Sequence, residues 1–184
     1  LQSGYSQVQI LPTPFKYHSR KPLISSELFW IMIKDRAKLI TDRREVQAVY
    51  DFVRQFPLDY PGYFEWLKKC EGQLLSGDKE AVYMVDGQQV VGSIIFQRHR
   101  EESSVLEIKN LRVDPRYARK GIGKALERRV DLFARSGEFR RIQVDAHRDN
   151  FEVVNFFIGR GYNIDSEETL YVPDKLEVVM VKDL

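Results

Sequence analysis

Apolar residues recur at two spacings along this chain, and each change of spacing marks an element. Residues 28–33 are a short apolar run, which predicts a buried strand. Val46, Val49, Tyr50, Val53 and Phe56 then fall three or four apart, the period of one helical face. Asp42 precedes that face and Glu45 stands three residues on, as in a capping box, while Pro57 closes the helix. Pro61-Gly62 opens a second helix over residues 63–75, with Phe64, Leu67 and Leu74 facing inward. Residues 80–85 and 90–97 read as strands joined through Asp86-Gly87-Gln88-Gln89, a hairpin signal. Residues 105–113 form the next strand, and Ile122, Leu126, Val130 and Phe133 give the following helix its buried stripe. A strand over 140–145 comes next. Asp149 and Glu152 then suggest a second capping box, before a helix ending near Gly161. A weak strand within 161–171 and a terminal strand over 176–181 complete the pattern.

The strand over 105–113 breaks its own phase. Leu106 and Ile108 are apolar at even positions, Leu111 and Val113 at odd ones. A strand has a strict period of two, so the phase can change only if one residue is extra. This predicts a β-bulge near Lys109-Asn110, and bulges gather beside active sites. Glu107 falls on the face away from Leu106 and Ile108, just before the bulge. Further on, Arg119-Lys120-Gly121-Ile122-Gly123-Lys124 puts flexible backbone and positive charge at a helix start. Free N–H groups there attract anions, phosphate above all. On local composition alone, glycines that merely permit a turn account for the same residues.

Composition narrows the class. The 184 residues are 43% hydrophobic and 30% charged, enough for one well-filled domain. A net charge of +2 gives no strong nucleic-acid signal. The single cysteine, Cys70, excludes an intrachain disulfide framework and fits a reducing compartment. No run of about 18 apolar residues is present, and the start lacks a signal-peptide pattern, so a cytoplasmic location without membrane contact is expected. His18, His99 and His147 have no metal-ligand spacing, so no metal is expected. Residues 1–26, interrupted by Pro12, Pro14 and Pro22, read as an extension that wraps the domain or meets a partner. Within it, residues 8–11 could form a short edge strand. The domain proper spans 27–184.

The glycine loop, with its Val113-Asp114-Pro115 lead-in, resembles the coenzyme-binding core of the GCN5-related N-acetyltransferases. The element order resembles that family over roughly residues 27–184. The stretch from Asn150 to the Gly161-Tyr162 pair is similar to a helix of the same family. The resemblance implies a mixed, mostly antiparallel sheet of six or seven strands with a central bulge and flanking helices. It implies acetyl-CoA as cosubstrate, with pyrophosphate over Arg119, Lys120, Gly121, Ile122, Gly123 and Lys124. The backbone of Leu111 and Val113 would meet the pantetheine arm, and Asn150 would touch that arm or the pyrophosphate. Glu107 matches the family's general base. Tyr60 and Tyr63 fall where the acceptor cleft is often shaped. Two positions depart from the pattern. Ala118 stands where the family loop begins with Arg or Gln, and Phe157 replaces a tyrosine that protonates the leaving sulfur. The implied activity is acetyl transfer to a primary amine, small or macromolecular, and the fold is compatible with a homodimer. The alternative is a non-catalytic CoA-binding regulatory or interaction module. A dinucleotide fold would place its glycine loop after an early strand, and no phosphate-loop nucleotidase sequence is present.

Overall fold

Gly87 and Gln88 turn the chain between β3 (Glu80–Asp86) and β4 (Gln89–Arg98), and Gly87 takes a positive φ of 60°, as a two-residue hairpin turn requires. In the computed structural model, which describes residues 7–8, 36–58, 61–173 and 175–184, this hairpin lies inside one mixed sheet. The strand expected over residues 28–33 lies outside the described residues, as does Tyr60. β5 (Val105–Val113) runs antiparallel to β4, and β6 (Arg141–His147) runs parallel to β5. β8 (Glu177–Asp183) pairs antiparallel with β6, and β7 (Asn163–Glu168) with β8. A two-residue β2 (Lys38–Leu39) borders β3, giving the order β2-β3-β4-β5-β6-β8-β7.

Among the described residues, two helices cover each face. α1 (Arg43–Arg54) and α2 (Tyr63–Ser76) bury Val49, Phe52, Val53, Leu67 and Cys70 against Ala81, Val90 and Ile95. α3 (Ile122–Ser136) and α4 (Phe151–Ile158) bury Leu126, Val130, Val153 and Phe157 against Ile94, Ile108 and Leu111. Asp42 caps α1 as expected, accepting from the Arg44 and Glu45 N–H groups at 2.7 and 2.9 Å. The Glu45 carboxylate reaches back one residue further, to the Thr41 N–H at 2.6 Å. α2 departs from expectation. Gly62, with φ 74°, starts the helix so that Tyr63, Trp66, Leu67, Cys70 and Leu74 face inward. Phe64, about 100° further round at 3.6 residues per turn, is 56% exposed. At α4 the cap is Asn150, not Asp149: its side chain accepts from the Val153 N–H at 3.3 Å.

The phase change in β5 is a bulge. Asn110 pairs with Ile95 but Ile108 with Phe96, so Lys109 is the extra residue. β5 and β6 pair only from Val105↔Arg141 to Ile108↔Val144, and beyond the bulge the two strands part. The N-terminal segment enters at this point. β1 (Gln7–Val8) pairs parallel with β5 at Asn110 and Leu111 and lies against β6 as well. Of the edge strand expected over residues 8–11, residues 9–11 lie outside the described residues; the described pair, Gln7–Val8, sits in the splay.

Candidate active site

Backbone direction in β5 decides what the splay offers. The Asp114 N–H donates to the Val91 carbonyl of β4 at 2.9 Å. Adjacent strand residues point their N–H groups to opposite edges, so Leu111 and Val113 present theirs away from β4, toward the splay. These are the two residues whose backbone the family resemblance assigns to the pantetheine arm.

The glycine loop follows directly. Asp114 caps a single 3₁₀ turn (Pro115–Tyr117), accepting from the Arg116 N–H at 2.9 Å. The Arg116 guanidinium bound to it holds its carboxyl below the usual carboxylate range. Arg119 and Gly121 both adopt left-handed backbone, at φ 59° and 79°. That conformation strains a residue with a side chain and suits glycine. The first helical bond runs from Ala125 N–H to Gly121 C=O at 3.0 Å, so the amides of Ile122 and Gly123 stand ahead of the helical ladder. Arg119, Lys120 and Lys124 are exposed around them, while the Ile122 side chain is buried and only its backbone can face a ligand. A Cβ added to Gly123 would meet the Phe156 ring at 3.5 Å and Val113 Cγ2 at 3.8 Å, which puts the loop against the end of β5 and the second turn of α4. Asn150 spends its side-chain oxygen on the α4 cap.

Glu107 lies on the α1/α2 side of the sheet, 8% exposed. Its carboxylate accepts from Gln97 Nε2 at 2.9 Å and forms an ion pair with Lys109. Lys79 in turn donates to Gln97 Oε1. Glu107 also lines a cavity of about 310 Å³. The Glu101, Asp145, Asp165 and Glu168 carboxylates line it too, against Arg100 and Lys109. Tyr171, on the same wall, donates to Asp145 at 2.8 Å.

Tyr63 is not in that cavity. It is 5% exposed and its hydroxyl donates to the Val53 carbonyl at 3.3 Å, a consequence of where Gly62 starts α2. Burial raises its phenol above the ordinary value, although Arg112 opposes this. Phe157 is fully buried, packed edge-on to Phe156 and Tyr162. Three residues escaped the sequence reading. Asn110, at the bulge, is fully buried, and among the described residues neither of its side-chain amide atoms has a hydrogen-bond partner. Arg112 is fully buried beneath α1, donating to the Leu111 carbonyl at 2.7 Å and pushed down to about 10 by burial. Tyr171 sits beyond a strand with little apolar pattern. The first two are neighbours of the predicted bulge, which was the available signal. Among the described residues no helix is long and apolar enough to cross a membrane.

The sheet order, central bulge and flanking helices are those of an acyl-CoA N-acyltransferase fold. The chain belongs to the Acetyltransferase (GNAT) family, which it matches over residues 45–162, more than half its length. Solved structures agree on the fold. A protein from Desulfovibrio desulfuricans assigned to the GNAT family superposes with a TM-score of 0.70 at 12% identity, over 80% of this chain and 98% of that one. The ribosomal-protein-S18-alanine N-acetyltransferase of Escherichia coli gives 0.62 at 15% identity, over 80% and 93%. The PaiA N-acetyltransferase of Thermoplasma acidophilum, in complex with coenzyme A, gives 0.61 at 13% identity, over 80% and 99%. No curated protein matches the sequence.

Proposed function

We propose that this protein transfers an acetyl group from acetyl-CoA to a primary amine. The observation that carries the reading is the position of Glu107. Its carboxylate lines a cavity beside the bulge, where β5 parts from β6 and turns its Leu111 and Val113 amides toward the opening. Pantetheine carbonyls would lie along those amides. The pyrophosphate would sit over the Gly121 loop, with Arg119, Lys120 and Lys124 around it. Coenzyme A in the PaiA complex supports this ligand class. The amine must lose a proton before it attacks the thioester carbon. Glu107 takes that proton, directly or through water. The neutral nitrogen then attacks, the C–N bond forms, the C–S bond breaks, and the second N–H proton is released as the amide forms. Phe157 has no proton to give the departing thiolate, so water or another group supplies it. The carboxylate-rich wall around Glu107 favours an acceptor that arrives as an ammonium ion.

Release of free coenzyme thiol across a panel of amines tests the reaction. Once an acceptor is found, Glu107→Gln should lower the single-turnover rate by about a hundredfold or more at neutral pH, with acetyl-CoA affinity retained. Part of the loss should return as pH rises and more of the acceptor amine is free. Equal rates for the two proteins would remove Glu107 from the chemistry. Phe157 and the long N-terminal segment favour a second reading, a coenzyme-binding module without turnover. Tight acetyl-CoA binding with no transfer to any amine would decide for it.

A further inference from the structure

The N-terminal strand occupies the backbone edge that the coenzyme needs. β5 leaves β6 after Ile108, and its edge beyond that point is paired with β1, Gln7 opposite Asn110 and Val8 opposite Leu111. Leu111 directs its N–H to that same edge. Neighbouring strands lie about 4.8 Å apart, so the edge holds one extended partner at a time. Building on the coenzyme reading above, we propose that β1 is an intramolecular occupant of the pantetheine seat, which acetyl-CoA must displace to bind productively.

Two further observations fit a provisional occupant. β1 satisfies backbone at the bulge but leaves both amide atoms of the buried Asn110 side chain without a hydrogen-bond partner among the described residues. A buried amide in that state is costly, and a better-matched ligand relieves it. The described pairing covers Asn110 and Leu111, and Val113 and the Gly121 loop are not among the residues that β1 pairs. Phosphates can engage the Ile122 and Gly123 amides with Arg119 and Lys120 first, and the pantetheine arm then strips the strand from Leu111. Coenzyme affinity is lowered in proportion to the fraction of molecules with the seat filled.

The test uses the full chain. Adjacent residues point their N–H groups to opposite edges, so a Gln7→Pro/Val8→Pro double change removes whichever donor faces β5. Acetyl-CoA affinity is measured by calorimetry, and exchange of the Leu111 amide by hydrogen–deuterium exchange. If β1 fills the seat in about nine molecules of ten, the double variant should bind acetyl-CoA about tenfold more tightly. Its Leu111 amide should exchange faster without ligand and regain protection when acetyl-CoA is added. Binding by both proteins with equal affinity would overturn displacement alone and leave the coenzyme reading standing. Weaker binding by the variant would overturn it as well, showing that β1 supports the ligand. Binding by neither would remove the coenzyme reading and the displacement with it.

Discussion

Lys79 shows how a side chain far from the glycine loop bears on the site. It is 3% exposed, and burial pushes its ammonium down to about 8, with Cys70 and Glu107 opposing that shift. Below pH 8 the folded and unfolded chains both hold the proton, and the folded chain bears the cost of burying the charge. Between about 8 and the ordinary value of 10.5 the unfolded chain keeps a proton that the folded chain has released, so this residue makes stability rise with pH. Cys70 acts in the opposite sense. Burial pushes its thiol up to about 12 from 9.0, so its contribution falls across that higher window. Lys79→Met should therefore abolish a rise of up to about 1 kcal/mol between pH 8 and 9, read from urea midpoints. A rise retained in the variant would place the titration elsewhere. The place of Glu107 beside the bulge was legible from strand phase. Lys79, Asn110 and Arg112 were not, because their surroundings are set by strand pairing and helix placement that local spacing does not reveal.

At the scale of elements, one glycine controls how α3 meets the sheet. A Cβ on Gly92 would lie 2.6 Å from Ile122 Cγ2, 3.1 Å from Leu126 Cδ1 and 3.3 Å from the Arg112 carbonyl. The Ile122 methyl is attached at Cβ and cannot swing clear as a long side-chain tip would. Gly92→Ala should cost about 1–3 kcal/mol and lift the first turn of α3, which carries the loop. Urea unfolding should report the loss of stability, and calorimetry a parallel loss of acetyl-CoA affinity. Unchanged affinity in a destabilised variant would separate the loop from this packing. The long periodic elements were legible: the α1 cap at Asp42, the β3–β4 turn and the Lys109 bulge all lie where the pattern put them. Phe64 was misread because the face that packs on the sheet is the Tyr63, Trp66, Leu67, Cys70 and Leu74 stripe. Local spacing does not reveal that choice in a helix with apolar residues on more than one side. The α4 cap fell to Asn150 because the helix begins one residue after Asp149 was expected to cap it. β1 and β2 are two residues each, too short for any period to register.

Across the molecule, α3 is fastened to distant segments by a buried carboxylate. Glu127 is fully buried and accepts from Arg160, just beyond α4, at 2.8 Å and from Lys182 of β8 at 3.1 Å. Removing one member of such a cluster leaves the others unbalanced. Glu127→Ala should destabilise the fold by about 3 kcal/mol, measured by urea unfolding, and a loss below about 0.5 kcal/mol would show the cluster to be incidental. With α3 held from behind, its N-terminus and the Gly121 loop keep a fixed place beside the β5 splay, and the proposed coenzyme seat depends on that placement. Titration calorimetry of acetyl-CoA into the unmodified protein tests the seat most directly. The expected result is saturable binding at one site, lost when Gly121 is replaced by valine, whose branched side chain suits neither the left-handed backbone nor a close phosphate. No detectable binding up to physiological coenzyme concentrations, or equal binding by the Gly121→Val protein, would contradict it.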